Sequence, residues 1–265
     1  MAFPVLTPEL AGRIERADRA AGAARVARVR RLPGNPLGIV ERRAAAGTVR
    51  LVRRPRWYYH YFGGVDDPSL AGQALPWFRE HGVALRLTLC PFFADEPLLA
   101  RLHDLGMRQS GFMTATFGPP QADQPAPPGV EVREDRDAFV PFYLGYAPDG
   151  ERVALRPIVE AEFAEWRCYV ALIDGHVAAG GALFVADGVG VLAAAGTRPA
   201  FRGRGAQTAL LRRRIAAAGA AGCDLVVCSA APGSTSQRNQ ERAGMRTAYT
   251  RVVWTDAAVR SESVA

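Results

Sequence analysis

The segment Thr197-Arg-Pro-Ala-Phe-Arg-Gly-Arg-Gly-Ala-Gln-Thr-Ala-Leu-Leu211 holds the residues whose types and spacing point most directly to chemistry. Gly203 and Gly205 let the backbone turn tightly and approach a ligand closely. Leu210, Leu211 and Ile215 set a helical apolar pattern over Gln207–Ala218, directly after the loop. The first turn of that helix points N–H groups without helical partners, and the positive end of its dipole, at the loop. That geometry holds a phosphate or pyrophosphate. Arg202 and Arg204 add positive charge. A tight surface turn would use the same glycines, but the strands before the loop and Pro199 favour the anion site.

The elements that must position this loop read clearly in the second half. Val130–Arg133 is a short strand, and Asp135–Gly145 and Val153–Glu165 are helix candidates. Arg167–Ile173 and His176–Val185 form a hairpin about the turn Asp174-Gly175. Asp187-Gly188 turns the chain into a third strand, Val189–Thr197, which runs into the loop. Leu225–Ala230 is a further strand beyond the helix. An antiparallel meander, a crossover helix and another strand describe an α+β protein. The dipeptide turns and the meander exclude a Rossmann unit, so NAD(H) is not an expected ligand.

With these elements in place, the chain resembles the GNAT acetyltransferase superfamily, whose acetyl-CoA loop reads Arg/Gln-x-x-Gly-x-Gly/Ala. Arg202-Gly203-Arg204-Gly205-Ala206-Gln207 supplies the Arg and the central Gly, with Gln207 departing from the last small residue. Pro199-Ala-Phe-Arg202 matches the family's lead-in, and Pro232–Met245 is similar to its next helix and closing Gly-Phe. The resemblance covers about residues 130–256. It implies acetyl-CoA as co-substrate, with pantetheine along Ala193–Gly196 and pyrophosphate on the loop. The cofactor-binding residues it implies are Ala195, Thr197, Arg202, Gly203, Arg204, Gly205, Ala206, Gln207, Thr208, Ser234 and Asn239. Capping the following helix is the equal alternative for Ser234 and Asn239.

Acetyl transfer to an amine needs a neutral amine, a positioned thioester and a proton for the leaving thiolate. The family often uses a Glu through water as base and a Tyr as acid. Val189–Thr197 contains no Glu or Asp, and Gln240 stands four residues before Gly244, where the Tyr is expected. Tyr249 and His176 are the remaining candidates. Tyr249 could equally face the sheet core, and His176 could be an ordinary sheet histidine. Glu160, Glu162 and Glu165 read as a solvated helix face. Cys228 offers either an acyl-cysteine route or a small core thiol. Proximity and backbone polarisation of the thioester need no special side chain. The expected activity is N-acetyl transfer by direct attack on the thioester; the alternative is a non-catalytic acyl-CoA-binding or sensing protein.

Residues 118–129 contain five prolines and two glycines and read as a Pro-rich linker. They divide the chain into 1–117, a degenerate GNAT-like domain, and 130–265, the GNAT N-acetyltransferase domain. The evidence for two related copies is local. Cys90 at the end of the strand Leu85–Cys90, and Cys228 near the end of Leu225–Ala230, each lie sixteen residues before a Gly-Met-Arg, at Gly106 and Gly244. Helix candidates Pro97–Leu105 and Ser236–Ala243 lie between, and strands Phe112–Phe117 and Tyr249–Thr255 follow. The fold expected is therefore two GNAT-like domains, each a mixed, largely antiparallel sheet flanked by helices. The first half lacks the glycine loop. There, Trp57, Tyr59 and Tyr61 would share one face of a strand.

Composition narrows the partners. All 33 basic residues are Arg, which excludes a Schiff-base lysine. Residues 1–129 carry 17 Arg against 11 acids, or +6, and residues 130–265 carry 16 against 15, or +1. No nucleic-acid motif accompanies the excess, so nucleic acid is not an expected partner. Cys90, Cys168, Cys223 and Cys228 form no Cys-x-x-Cys pair and the histidines are scattered, so no metal site is expected. No 18-residue apolar run occurs, and Met1–Leu10 lacks the pattern of a secretory leader. A cytoplasmic protein with an amine acceptor, small molecule or peptide, and no membrane partner is the expectation. Homo-oligomerisation is left open.

Overall fold

The computed structural model describes residues 3–259. In chain order the first half forms helix α1 (Pro8–Arg30), strands β1 (Ile39–Ala44), β2 (Gly47–Val52) and β3 (Gly64–Val65), helix α2 (Ala71–Glu80), strand β4 (Arg86–Leu89), helix α3 (Glu96–Asp104) and strand β5 (Met107–Gly118). The second half adds β6 (Val130–Glu134), α4 (Arg136–Leu144), α5 (Arg152–Glu162), β7 (Arg167–Ile173), β8 (His176–Ala186) and β9 (Val189–Thr197). It ends with α6 (Ala206–Ala220), β10 (Leu225–Ala230), α7 (Thr235–Arg242) and β11 (Arg246–Asp256). This is the expected α+β class, with mixed, largely antiparallel sheets flanked by helices.

The chain forms two compact units, one of residues up to Arg25 with Thr114–Ala248, the other of Val26–Met113 with the chain from Tyr249 on. This partition differs from a cut at the Pro-rich segment, and strand pairing gives the reason. In the first unit the end of β5 pairs antiparallel with β10, Thr114 facing Ala230 and Gly118 facing Val226. In the second, β11 pairs antiparallel with β4, Val252 facing Leu89. Each half thus lends its last strand to the unit built mainly from the other. Residues 119–129 are also more than a connector. They lie along α6: Pro120 packs on Gly219, Asp123 pairs with Arg213, and Pro127 packs on Gly205. Gln121 Nε2 donates to the Ala243 carbonyl at 2.9 Å.

In the first unit the strand order is β5-β10-β9-β8-β7-β6. Both hairpin turns put consecutive residues at positive φ, Asp174 at 54° with Gly175 at 76°, and Asp187 at 49° with Gly188 at 71°. That conformation matches the twist of a tight hairpin. Gly180 and Gly181 point to opposite faces of β8. A Cβ on Gly180 would meet the Phe142 ring of α4, and one on Gly181 would meet Arg214 of α6, both within 3 Å. Helices α4 and α6 therefore cover opposite faces, and the glycines let them approach. The core on the α6 face is formed by Tyr169, Leu183, Leu192, Leu210, Leu211 and Ile215.

In the second unit β1, β2 and β3 form a small antiparallel sheet. Its core gathers Leu51, Leu70, Trp77, Phe78, Leu85 and Leu102. The run Trp57–Phe62, expected to be a strand with alternating faces, is a 3-10 helix. The physical reason is ring packing. A 3-10 turn brings residues three apart onto one side, and the Tyr59 and Phe62 ring centroids lie 4.9 Å apart. Tyr59 is completely buried.

Candidate functional site

Strands β9 and β10 run parallel from Val189↔Leu225 to Leu192↔Cys228. Pairing ends there, although β9 continues to Thr197 and β10 to Ala230. Past Leu192 the backbone groups of β9 have no β10 partner, so an extended ligand can pair with them in the manner of an added strand. Between the separated ends lies a cavity of about 350 Å³. Ala193–Gly196 form one wall, Cys228 and Ser229 another, with Ser236 of α7 and Tyr143 and Tyr146 from the end of α4 completing it. Its size suits the reacting end of a ligand rather than a whole nucleotide cofactor.

The β9 wall is bulged. Gly180 pairs with Gly196 and Ala182 with Ala193, so the single residue Gly181 faces both Ala194 and Ala195. Ala194 sits at φ 52°, a strained value for a residue with a Cβ. Small side chains at 193–196 keep this wall low. At its end, Gly196 lies under the Tyr146 hydroxyl, where a Cβ would come within 2.5 Å of the oxygen.

The glycine loop follows β9 as the sequence predicts. Gly203 and Gly205 adopt φ 77° and 81°. Gly205 caps α6, and the space a Cβ of Gly203 would occupy is open. The N–H groups of Ala206, Gln207 and Thr208 belong to the helix's first turn, which lacks i−4 acceptors. Arg202 and Arg204 stand on either side of Gly203 in this loop. Arg204 also reaches Asp174 at 2.9 Å. Gln207, the departure from the family pattern, is tied back: the Thr197 hydroxyl donates to its Oε1 at 3.2 Å. That contact joins the end of β9 to the start of α6.

Ser234 is the N-cap of α7, accepting from the Gln237 N–H at 3.2 Å. Asn239 Oδ1 accepts from Arg242 at 2.7 Å. Neither lines the cavity, and neither do Tyr249 and His176. Tyr249 is buried against Phe92, ring centroids 5.8 Å apart, and His176 is exposed at the β7–β8 turn. The residue in place of the expected Tyr, Gln240, is buried and fully engaged. Thr116 Oγ1 donates to its Oε1 at 2.9 Å, and its Nε2 donates to Cys228 Sγ at 3.1 Å and Ser236 Oγ at 3.3 Å.

The electrostatics of the lining are mild. Burial pushes the Cys228 thiol up to about 11, with Arg214 opposing, so it is a neutral thiol at neutral pH. Burial also raises the Tyr146 phenol above its usual range, against the pull of Arg202 and Arg198. No carboxylate or imidazole lines the cavity among the described residues. Glu162 is not on a solvated face; it is buried and pairs with Arg25 at 3.3 Å. Tyr143, Tyr146 and Ser236 carry no motif and were not expected here. Their signal was faint: two tyrosines three apart at a helix end, which places both on one side.

Residues 133–244, which contain every part of this cavity and loop, match the Acetyltransferase (GNAT) family. The fold resembles a GCN5-related N-acetyltransferase from Kribbella flavida, at TM-score 0.65 and 19% identity over 94% of this chain and 96% of that one. It also resembles a tandem GNAT protein from the clavulanic acid biosynthesis pathway, at TM-score 0.62 and 17% identity over 98% and 99%. A GCN5-related N-acetyltransferase from Sphaerobacter thermophilus aligns at TM-score 0.55 and 19% identity over 96% and 93%. No curated protein matches the chain in sequence.

Proposed function

We propose that this chain, which carries a GNAT acetyltransferase domain over residues 133–244, is an acetyl-CoA-dependent N-acetyltransferase that promotes direct attack of an amine on the thioester. The observation that carries the reading is the parting of β9 from β10 beside a glycine loop and a helix N-terminus. Acetyl-CoA would supply the activated acetyl group. Arg202–Thr208 would hold its pyrophosphate, and the unpaired edge of Ala193–Gly196, with Thr197 behind it, would align the pantetheine arm. Ser234 and Asn239 would serve the site by building α7, which carries Ser236 and Gln240.

The lining residues then act by orientation and exclusion of water. A neutral Cys228 thiol is a poor nucleophile, which favours direct transfer over an acyl-cysteine. With no carboxylate or imidazole in the wall among the described residues, rate enhancement would rest on proximity and backbone polarisation, and the amine would arrive neutral from solvent. That same lack of a carboxylate or imidazole base among the described lining residues favours a second reading, an acyl-CoA sensor that binds without turnover. Acetyl-CoA-dependent thiol release against a panel of amines separates the two. Turnover that depends on one amine class supports the enzyme, and tight binding without release for any amine supports the sensor.

A further inference from the structure

Arg214 is among the largest fully buried side chains of the protein, 1% exposed in the middle of α6. Its Nε donates to the Leu210 carbonyl at 3.2 Å, one turn earlier. Its Nη1 donates to the carbonyls of Ala182 at 3.1 Å and Ala193 at 3.3 Å. Those two residues form the cross-strand pair directly beside the β8–β9 bulge. On the bulge's other strand, Gly181 leaves the room the guanidinium occupies, since a Cβ there would stand 2.7 Å from Cζ.

A buried cation is costly and is ordinarily matched by a carboxylate. Among the described residues no carboxylate pairs with Arg214. Burial pushes its pKa down to about 10, which leaves it charged at neutral pH. A methionine would fill similar space without that cost. Two of its three hydrogen bonds go instead to backbone carbonyls at the edge of the bulge that forms the cavity's β9 wall. Its field also reaches the opposite wall, where it acts on Cys228.

We infer that Arg214 is a positioning residue for acyl transfer: it fixes the Ala193–Ala195 bulge from beneath and sets positive charge behind the wall where a thioester oxygen or departing thiolate gathers negative charge. The inference rests on the acetyl-CoA reading for its purpose, but not for its geometry. Arg214→Met is the test, read by calorimetry with acetyl-CoA, by thiol release and by amide resonances of residues 193–196 in the ligand-free protein. The expected result is an unchanged or higher Tm, shifted bulge amides and at least a tenfold loss in acetyl-CoA affinity or kcat, with Arg214→Lys recovering part of it. Wild-type amides, affinity and kcat in a folded Arg214→Met would overturn the inference. Should that variant fail to fold, Gly181→Ala, which keeps the arginine but intrudes on it, must show the same amide shifts and the same loss; an unaltered Gly181→Ala protein also overturns it. If the wild type itself does not bind acetyl-CoA, the functional reading fails, while the amide shifts still decide whether Arg214 builds the bulge.

Discussion

Helices α3 and α7 are built alike. Each follows a short strand, each is capped by a side chain, Asp95 accepting from the Leu98 N–H and Ser234 from that of Gln237, and each ends at a positive-φ glycine, Gly106 at 76° and Gly244 at 87°. A long strand follows both. What precedes the two segments differs. Before β10 come a wall of small residues, a glycine loop and the fifteen-residue α6. Before β4 come the aromatic 3-10 turn Trp57–Phe62 and the shorter α2, whose start has no side-chain cap. In one unit the backbone is left bare where strands part; in the other, rings fill space. One local frame therefore supports either a ligand slot or a packed core, and side-chain volume decides which.

The largest effect should come from the filled side. Tyr59→Ala removes a fully buried ring and should lower stability by about 3–5 kcal/mol in urea unfolding, with acetyl-CoA affinity unchanged when measured on the folded fraction. A parallel loss of affinity would break the division of labour between the units. On the bare side, Gly203→Glu places bulk and negative charge in open space at the loop. Its affinity for acetyl-CoA should fall at least 100-fold, about 2.7 kcal/mol, while the fold is kept. Gly205 is a poorer probe, because a Cβ there would meet Pro127 at 3.0 Å, so Gly205→Glu should lose stability and affinity together.

Arg202→Ala should weaken acetyl-CoA about tenfold, the scale of one lost charge-assisted contact. Arg204→Ala should cost less, because Arg204 already shares its charge with Asp174; added salt should narrow the gap between the two. Equal losses would show that the Asp174 pair opens when ligand binds. The smallest effect concerns pH. Burial disfavours ionised Asp256, but hydrogen bonds from Arg79 prevail and hold its pKa below the usual range. A depressed carboxylate stabilises above its unfolded pKa, about 3.9, and that contribution disappears as pH falls through the lower folded value. Acid melting should therefore show a shallow loss below about pH 4 that Asp256→Asn removes; an unchanged acid limb in that variant would assign the loss elsewhere.

Much of the first unit was legible because its signals are local. Strands β7, β9 and β10 begin and end where hairpin dipeptides and glycines place them, and α6 starts at its loop. Trp57–Phe62 misled because aromatic residues favour strands in general, whereas here the rings of Trp57, Tyr58, Tyr59 and Phe62 pack against one another, mostly edge to face. Helix α1 left little trace, since Ala11, Ala17 and Ala21, residues of weak apolar contrast, share its buried face with Ile14, Val26 and Val29. The unit boundaries were hidden for a different reason: which strand pairs with which is a long-range outcome, and β5 and β11 pair outside their own halves. The cavity depends on the same kind of event, the end of pairing at Leu192↔Cys228. Its tyrosines and Ser236 are brought there by separate helices.

On the proposed function, the parted strands and the glycine loop form an acetyl-CoA site. Calorimetric titration of acetyl-CoA into the wild-type protein and into Gly203→Glu tests it most directly. The expected result is saturable binding at a single site in the wild type and at least a 100-fold weaker interaction in the variant, with both proteins melting as folded chains. Absence of binding to the wild type, or equal binding to both, would contradict it.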